Sequence, residues 1–136
     1  MKPINILLVE DDPLDIIDIT RQLDKQNIIY QLHTAHNGEE AIRILEEGSE
    51  LPDIVLIDIN MPKMNGLELL QTFRRHEEWK GLKCFIVTTS DEKVDRRAAG
   101  LLGVSGYIIK PLKLNSPASM DAFNLMIDLI NLKSVE

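Results

Sequence analysis

A chain of 136 residues, 44% hydrophobic and 27% charged, has the size and composition of one compact domain. It contains no apolar run near the ~20 residues that a membrane span requires and no signal-peptide pattern after Met1, so a cytoplasmic protein is expected. Fifteen basic against 22 acidic side chains leave a formal charge of −7, which disfavours nucleic-acid binding, and Cys84, the only cysteine, excludes an intramolecular disulfide and reads as a buried free thiol.

Apolar runs bounded by turn residues alternate with helix-period segments in roughly five pairs, the pattern of a parallel sheet covered on both faces. The first strand, Ile4 to Val9, ends in Glu10-Asp11-Asp12. Asp12 caps the next helix, Pro13 fits its first position, Ile16, Thr20 and Leu23 share a face, and the end falls near Gln26-Asn27. In the second strand, Ile29 to Ala35, Tyr30, Leu32 and Thr34 alternate with Gln31 and His33, as an edge strand does. His33 and His36 fall on opposite faces, which argues against a metal pair. Asn37-Gly38-Glu39-Glu40 starts the second helix, with Ala41, Ile42 and Leu45 inward and Gly48 as its stop.

Pro52-Asp53 opens the third strand, IVLID, which is apolar until Asp58, and INMPKMNG is a loop punctuated by Pro62 and Gly66. The third helix carries Leu67, Leu70 and Phe73 to about His76, a solvent-facing residue, and Trp79-Lys80-Gly81 leads out of it. CFIVTT is the fourth strand and Glu92 to about Leu102 the fourth helix; Thr89, Ser90 and Asp91 can each cap it, Thr89 and Glu92 as a capping box. GYIIK is the fifth strand, and the last helix runs from about Ser119 to Leu132. On it Phe123, Met126, Ile127 and Ile130 face the sheet, while Leu125, Leu129 and Leu132 form a second apolar stripe that suits a partner. The pairs Arg74-Arg75 and Arg96-Arg97, beside Glu77, Glu78 and Asp95, read as solvated mixed-charge faces. No repeat or linker interrupts the series, so one domain over 1–136 without an output domain is expected.

Two unit charges about 5 Å apart repel by roughly 3 kcal/mol at an effective dielectric near 20, so three consecutive carboxylates at the mouth of a buried strand need something positive. Ligands of open parallel sheets bind outside the carboxyl ends of the strands, where the strand order reverses. Glu10, Asp11 and Asp12, then Asp58, then Thr88, Thr89 and Ser90, then Lys110-Pro111 stand at those ends. If the first and third strands are neighbours, three carboxylates from distant parts of the chain share one cleft. Hard oxygen ligands in a partly hydrated site suit Mg²⁺, and a lysine with a threonine hydroxyl suits a phosphoryl group.

LLVEDDP, VLIDINMPKMNG, IVTTSD and GYIIKP, in this order, resemble the receiver domain of two-component response regulators across essentially the whole chain. The resemblance implies a flavodoxin-like (βα)5 doubly wound sandwich with strand order 2-1-3-4-5 and helices on both faces. It implies Asp58 as phosphoacceptor, Glu10, Asp11, Asp58 and the backbone carbonyl of Asn60 around Mg²⁺, and Thr88 and Lys110 on the phosphoryl group. It further implies Tyr107 as the aromatic that follows Thr88, a cis bond between Lys110 and Pro111, and a regulatory phosphoacceptor rather than a metabolic enzyme. The implied partners are a sensor histidine kinase or phosphotransfer protein, and a second copy paired through the face of helix four, strand five and helix five, to which Leu125, Leu129 and Leu132 contribute.

NGEEAIRIL and TTSDEK look like regulators serving phytochrome-type kinases, whereas PLKLNSPASMDAF departs from the usual short connection after strand five. A haloacid-dehalogenase-type phosphohydrolase would need a second acid where Asn60 stands, to protonate the leaving group. A flavodoxin-like electron carrier would need a Gly/Ser/Thr-rich phosphate loop after the first strand, where this chain has acids.

Overall fold

The computed structural model describes residues 3–26 and 28–110, so the expected last helix with Leu125, Leu129 and Leu132, and Pro111 of the expected cis bond, lie outside the described residues. Within them the order is β1 (Ile4–Val9), α1 (Pro13–Asp24), β2 (Tyr30–Ala35), α2 (Gly38–Glu47), β3 (Ile54–Ile57), α3 (Gly66–Arg75), β4 (Cys84–Thr88), α4 (Lys93–Leu101) and β5 (Gly106–Ile109). The five strands form one parallel sheet in the order β2-β1-β3-β4-β5. The order reverses between β1 and β3, the place where such sheets bind ligands.

The sheet separates two cores. Leu7, Val9, Val55, Ile57 and Ile86 pack with Leu69, Leu70 and Phe73 of α3, with Ala41 and Leu45 of α2 and with Ala99 of α4. On the other face Ile6, Leu8, Leu56, Phe85 and Ile108 pack with Ile19 and Leu23 of α1. Inner strands buried on both faces have no polar side to alternate with, which is why β1, β3 and β4 read as continuous apolar runs. Edge strand β2 alternates as expected, with Gln31 and His33 exposed. Cys84 is buried and unpaired, and burial pushes its thiol up to about 11. No helix among the described residues is long and apolar enough to cross a membrane.

Several local details differ from the sequence reading. The buried stripe of α1 is Ile19 and Leu23 with Ile16 beside them, while Thr20 returns its hydroxyl to the Ile16 carbonyl at 2.7 Å. Helix α1 closes at Asp24, with Lys25 as its C-cap. Leu69 joins Leu70 and Phe73 in the core, and Leu67 is only half buried. Trp79 turns back to meet Phe73 edge-on, with ring centroids 6.1 Å apart, and His76 stacks on its outer face.

The capping box sits at α3 rather than α4. Asn65 and Glu68 exchange side-chain and backbone hydrogen bonds there, whereas Glu92 caps α4 with no side-chain bond and Ser90 donates to Asp95 instead. Arg74 is not a solvated charge: it donates to the carbonyls of Lys80, Leu82, Leu102 and Gly103, which belong to turn and strand-entry segments and need donors.

Candidate functional site

Backbone hydrogen bonds set the height of the site. The N–H of Glu10 donates to the Ala35 carbonyl at 2.8 Å, that of Asp58 to Val9 at 3.0 Å and that of Lys110 to Thr88 at 2.8 Å. Val9 and Ile57 are register partners, so Glu10 and Asp58, one step beyond each, emerge side by side. Glu10, Asp58, Thr88 and Lys110 are the buried polar or charged residues among those described, and all four lie at the carboxyl end of the sheet.

The Lys110 ammonium donates to Glu10 and, at 2.8 Å, to Asp15, and it stands 3.4 Å from an Asp58 oxygen. Glu10 also receives the Asp12 N–H at 3.3 Å. Burial pushes the Glu10 carboxyl up, as does the charge of Asp58, against the pull of Lys110, to about 7. Burial works against the Lys110 charge, but its hydrogen bonds to Asp15 and Glu10 and the charge of Asp58 outweigh it and hold the ammonium above its usual range.

Glu10, Asp11 and Asp58 each offer an oxygen within 4.8 Å of the others. One ammonium set against this cluster and Asp15 leaves a surplus of negative charge, and the donors are all hard oxygens. The residues therefore fit a small divalent cation.

The remaining predicted residues have definite places. Thr88 is fully buried, and its Oγ accepts the Ser90 N–H at 3.4 Å. Tyr107 is half buried; its hydroxyl donates to the Ser90 carbonyl at 2.8 Å and the Arg96 guanidinium lies 4.8 Å from its ring centroid. Asn60 is exposed, and its N–H donates to Asp58 at 3.3 Å. Asp12 accepts the Leu14 N–H at 2.9 Å, the helix cap expected of it. Asp15 carries no signal of a site in the sequence. It lies within the first turn of a capped helix, but its partner is 95 residues away, a contact no local pattern reports.

Two predictions follow from this division. Asp12→Ala should cost about 1 kcal/mol of stability, as other lost caps do, and leave cation affinity unchanged, while Asp11→Ala should weaken the cation and leave the melt nearly unmoved. Calorimetric titration and thermal melts separate the two; equal loss of affinity contradicts the assignment. Because Glu10 in the metal-free chain holds a proton below about 7, a cation has to displace it there. Affinity should fall as the pH drops through that value, and binding should release protons, seen as a buffer-dependent heat. For the same reason the metal-free fold should lose stability as the pH rises from the unfolded value near 4.5 towards about 7, since the folded state holds the proton more tightly.

Residues 6–119 match the family model described as the response regulator receiver domain. The chain is 32% identical over 107 residues to the protein PilH of Pseudomonas aeruginosa, covering 79% of this chain and 85% of PilH. Other curated relatives are longer, and the chain spans 13% of one and 46% of another. Among solved structures, the Mn²⁺-bound response regulator Rcp1 superposes with a TM-score of 0.75 at 27% identity over 97% of this chain and 93% of its own. The bacteriophytochrome response regulator AtBRR superposes with a TM-score of 0.76 at 30% identity, over 96% and 92%.

Proposed function

The chain belongs to the receiver domain family of two-component response regulators, and from that premise we propose that Asp58 is its phosphoacceptor. The observation that carries the reading is that every buried polar or charged side chain among the described residues gathers at one end of the sheet, where Asp58 meets a carboxylate pair and one lysine.

The donor is a phosphohistidine of a sensor histidine kinase or phosphotransfer protein. One Asp58 carboxylate oxygen forms the bond to phosphorus as the donor's nitrogen–phosphorus bond breaks; the electron pair stays on the imidazole, which regains its proton from water. Glu10, Asp11, Asp58 and the Asn60 carbonyl would hold Mg²⁺, which supplies positive charge against the transferred oxygens. Lys110, whose ammonium stands 3.4 Å from an Asp58 oxygen, would neutralise a further oxygen. The Thr88 hydroxyl turns to donate to the phosphoryl group, the loop beginning at Thr89 shifts, and Tyr107 leaves the Ser90 carbonyl to follow it, so a local charge event biases a two-state surface.

The likeness to AtBRR, with the stretches NGEEAIRIL and TTSDEK, supports a phytochrome-class kinase as donor. Val94 and Leu101, 75% and 80% exposed on α4, support pairing of two copies through that helix, β5 and the stripe Leu125, Leu129 and Leu132.

Intact mass spectrometry after incubation with acetyl phosphate and Mg²⁺ tests the core of this reading. One labile phosphoryl group should be gained. No gain, under conditions that label an established receiver, overturns it.

A further inference from the structure

We propose that Asp15 is a positioning residue for phosphoryl transfer: together with Glu10 it holds the Lys110 ammonium back from Asp58, leaving the nucleophilic oxygen uncovered and the third N–H aimed at the incoming group. The inference rests on Asp58 being the phosphoacceptor.

An ammonium has three donors and no acceptor. Two are taken, by Glu10 and by Asp15 at 2.8 Å, and the remaining approach, to Asp58, is 3.4 Å long. Charge-assisted N–H···O bonds normally close to about 2.7–2.9 Å, so the lysine stands off the carboxylate it would otherwise mask. A phosphoryl group on Asp58 carries its oxygens beyond the carboxylate, into the gap that this stand-off keeps open.

The restraint is rigid. Asp15 sits in the first turn of α1, where the helix dipole favours a carboxylate, and α1 is pinned to the sheet by Ile19 and Leu23. Its side chain is 29% exposed, against 1% for Glu10 and 6% for Lys110, so Asp15 is the member of the trio that can be changed without opening the core. Without its charge, Lys110 is shared by Glu10 and Asp58 alone and is drawn onto the nucleophile.

Asp15→Asn keeps the shape and removes the charge, and Asp15→Glu restores the charge at a longer reach. With acetyl phosphate and saturating Mg²⁺, the Asn variant should lose on the order of tenfold in maximal phosphorylation rate, as small misplacements in a reacting geometry do, with half-saturating donor concentration unchanged. The Glu variant should recover most of the rate. Independently of any donor, the ¹⁵Nζ resonance of Lys110, assigned through Lys110→Arg, should move in the Asn variant.

A wild-type maximal rate in Asp15→Asn overturns the proposal. So does a loss that tracks a lowered melting temperature and is not recovered by Glu, or an Nζ resonance that stays in place. A wild type that takes no phosphoryl group overturns the assignment of Asp58 along with it, whereas a labelled wild type with an equally fast Asn variant removes the role of Asp15 alone.

Discussion

Asp58→Asn should abolish phosphoryl uptake while leaving the fold intact. The backbone N–H of residue 58 still reaches the Val9 carbonyl, and the amide oxygen can still accept the Asn60 N–H now found at 3.3 Å from the carboxylate. The substitution also removes one like charge from the group formed with Glu10 and Asp11, so the metal-free chain should melt no lower than wild type. What disappears, on the role proposed for Asp58, is the nucleophile. A neutral amide oxygen beside an ammonium 3.4 Å away is not a carboxylate, and removing the attacking group of an enzyme site typically costs 10³-fold or more in rate. Labelling of wild type and variant side by side, with a thermal melt of each, checks both halves; a variant labelled to the wild-type level contradicts the role given to Asp58.

Gly66→Ala should be the most damaging single methyl in the described residues, although it lies outside the carboxylate cluster. A Cβ there would stand 2.2 Å from the Asp58 carbonyl oxygen and 2.8 Å from an Ile57 methyl. The first neighbour is backbone, and the Gly66 N–H is tied to the Ile59 carbonyl at 3.0 Å, so neither side can give way without moving the segment that carries Asp58. Overpacking of this kind costs about 3 kcal/mol, which for a chain of this length lowers the melting temperature by roughly 10 °C. Gly100→Ala is the control. Nothing lies within 4 Å of its Cβ position on α4, so the change should raise stability by about 0.5–1 kcal/mol through helix propensity alone. Calorimetry of the two variants reads the contrast, and a Gly66→Ala chain as stable as Gly100→Ala contradicts the close approach.

Much of this architecture is legible in the residues because inner parallel strands are buried on both faces and stand out as apolar runs. Asp58 is legible for the same reason: a carboxylate ending such a run has no packing role. The edge position of β2 shows in the alternation of Gln31 and His33 with Leu32 and Thr34. The strand order came from the family resemblance, since periodicity does not say which strands are neighbours. Contacts of long sequence separation are not legible. Asp15 reads as a first-turn acid until Lys110 is beside it, and Arg74 reads as a surface charge until the carbonyls of Lys80, Leu82, Leu102 and Gly103 converge on it. The start of α4 at Glu92 is legible but its cap is not, because Ser90 and Asp91 have competing partners in Asp95 and Arg96.

The most direct measurement is the location of the phosphoryl group. Borohydride reduces an acyl phosphate to the alcohol and leaves a free carboxylate untouched, so reduction immediately after phosphorylation followed by peptide mapping marks the acceptor permanently. Conversion is expected at residue 58 alone; conversion at Asp11, Asp12, Asp15 or any other residue, with residue 58 unchanged, contradicts the assignment.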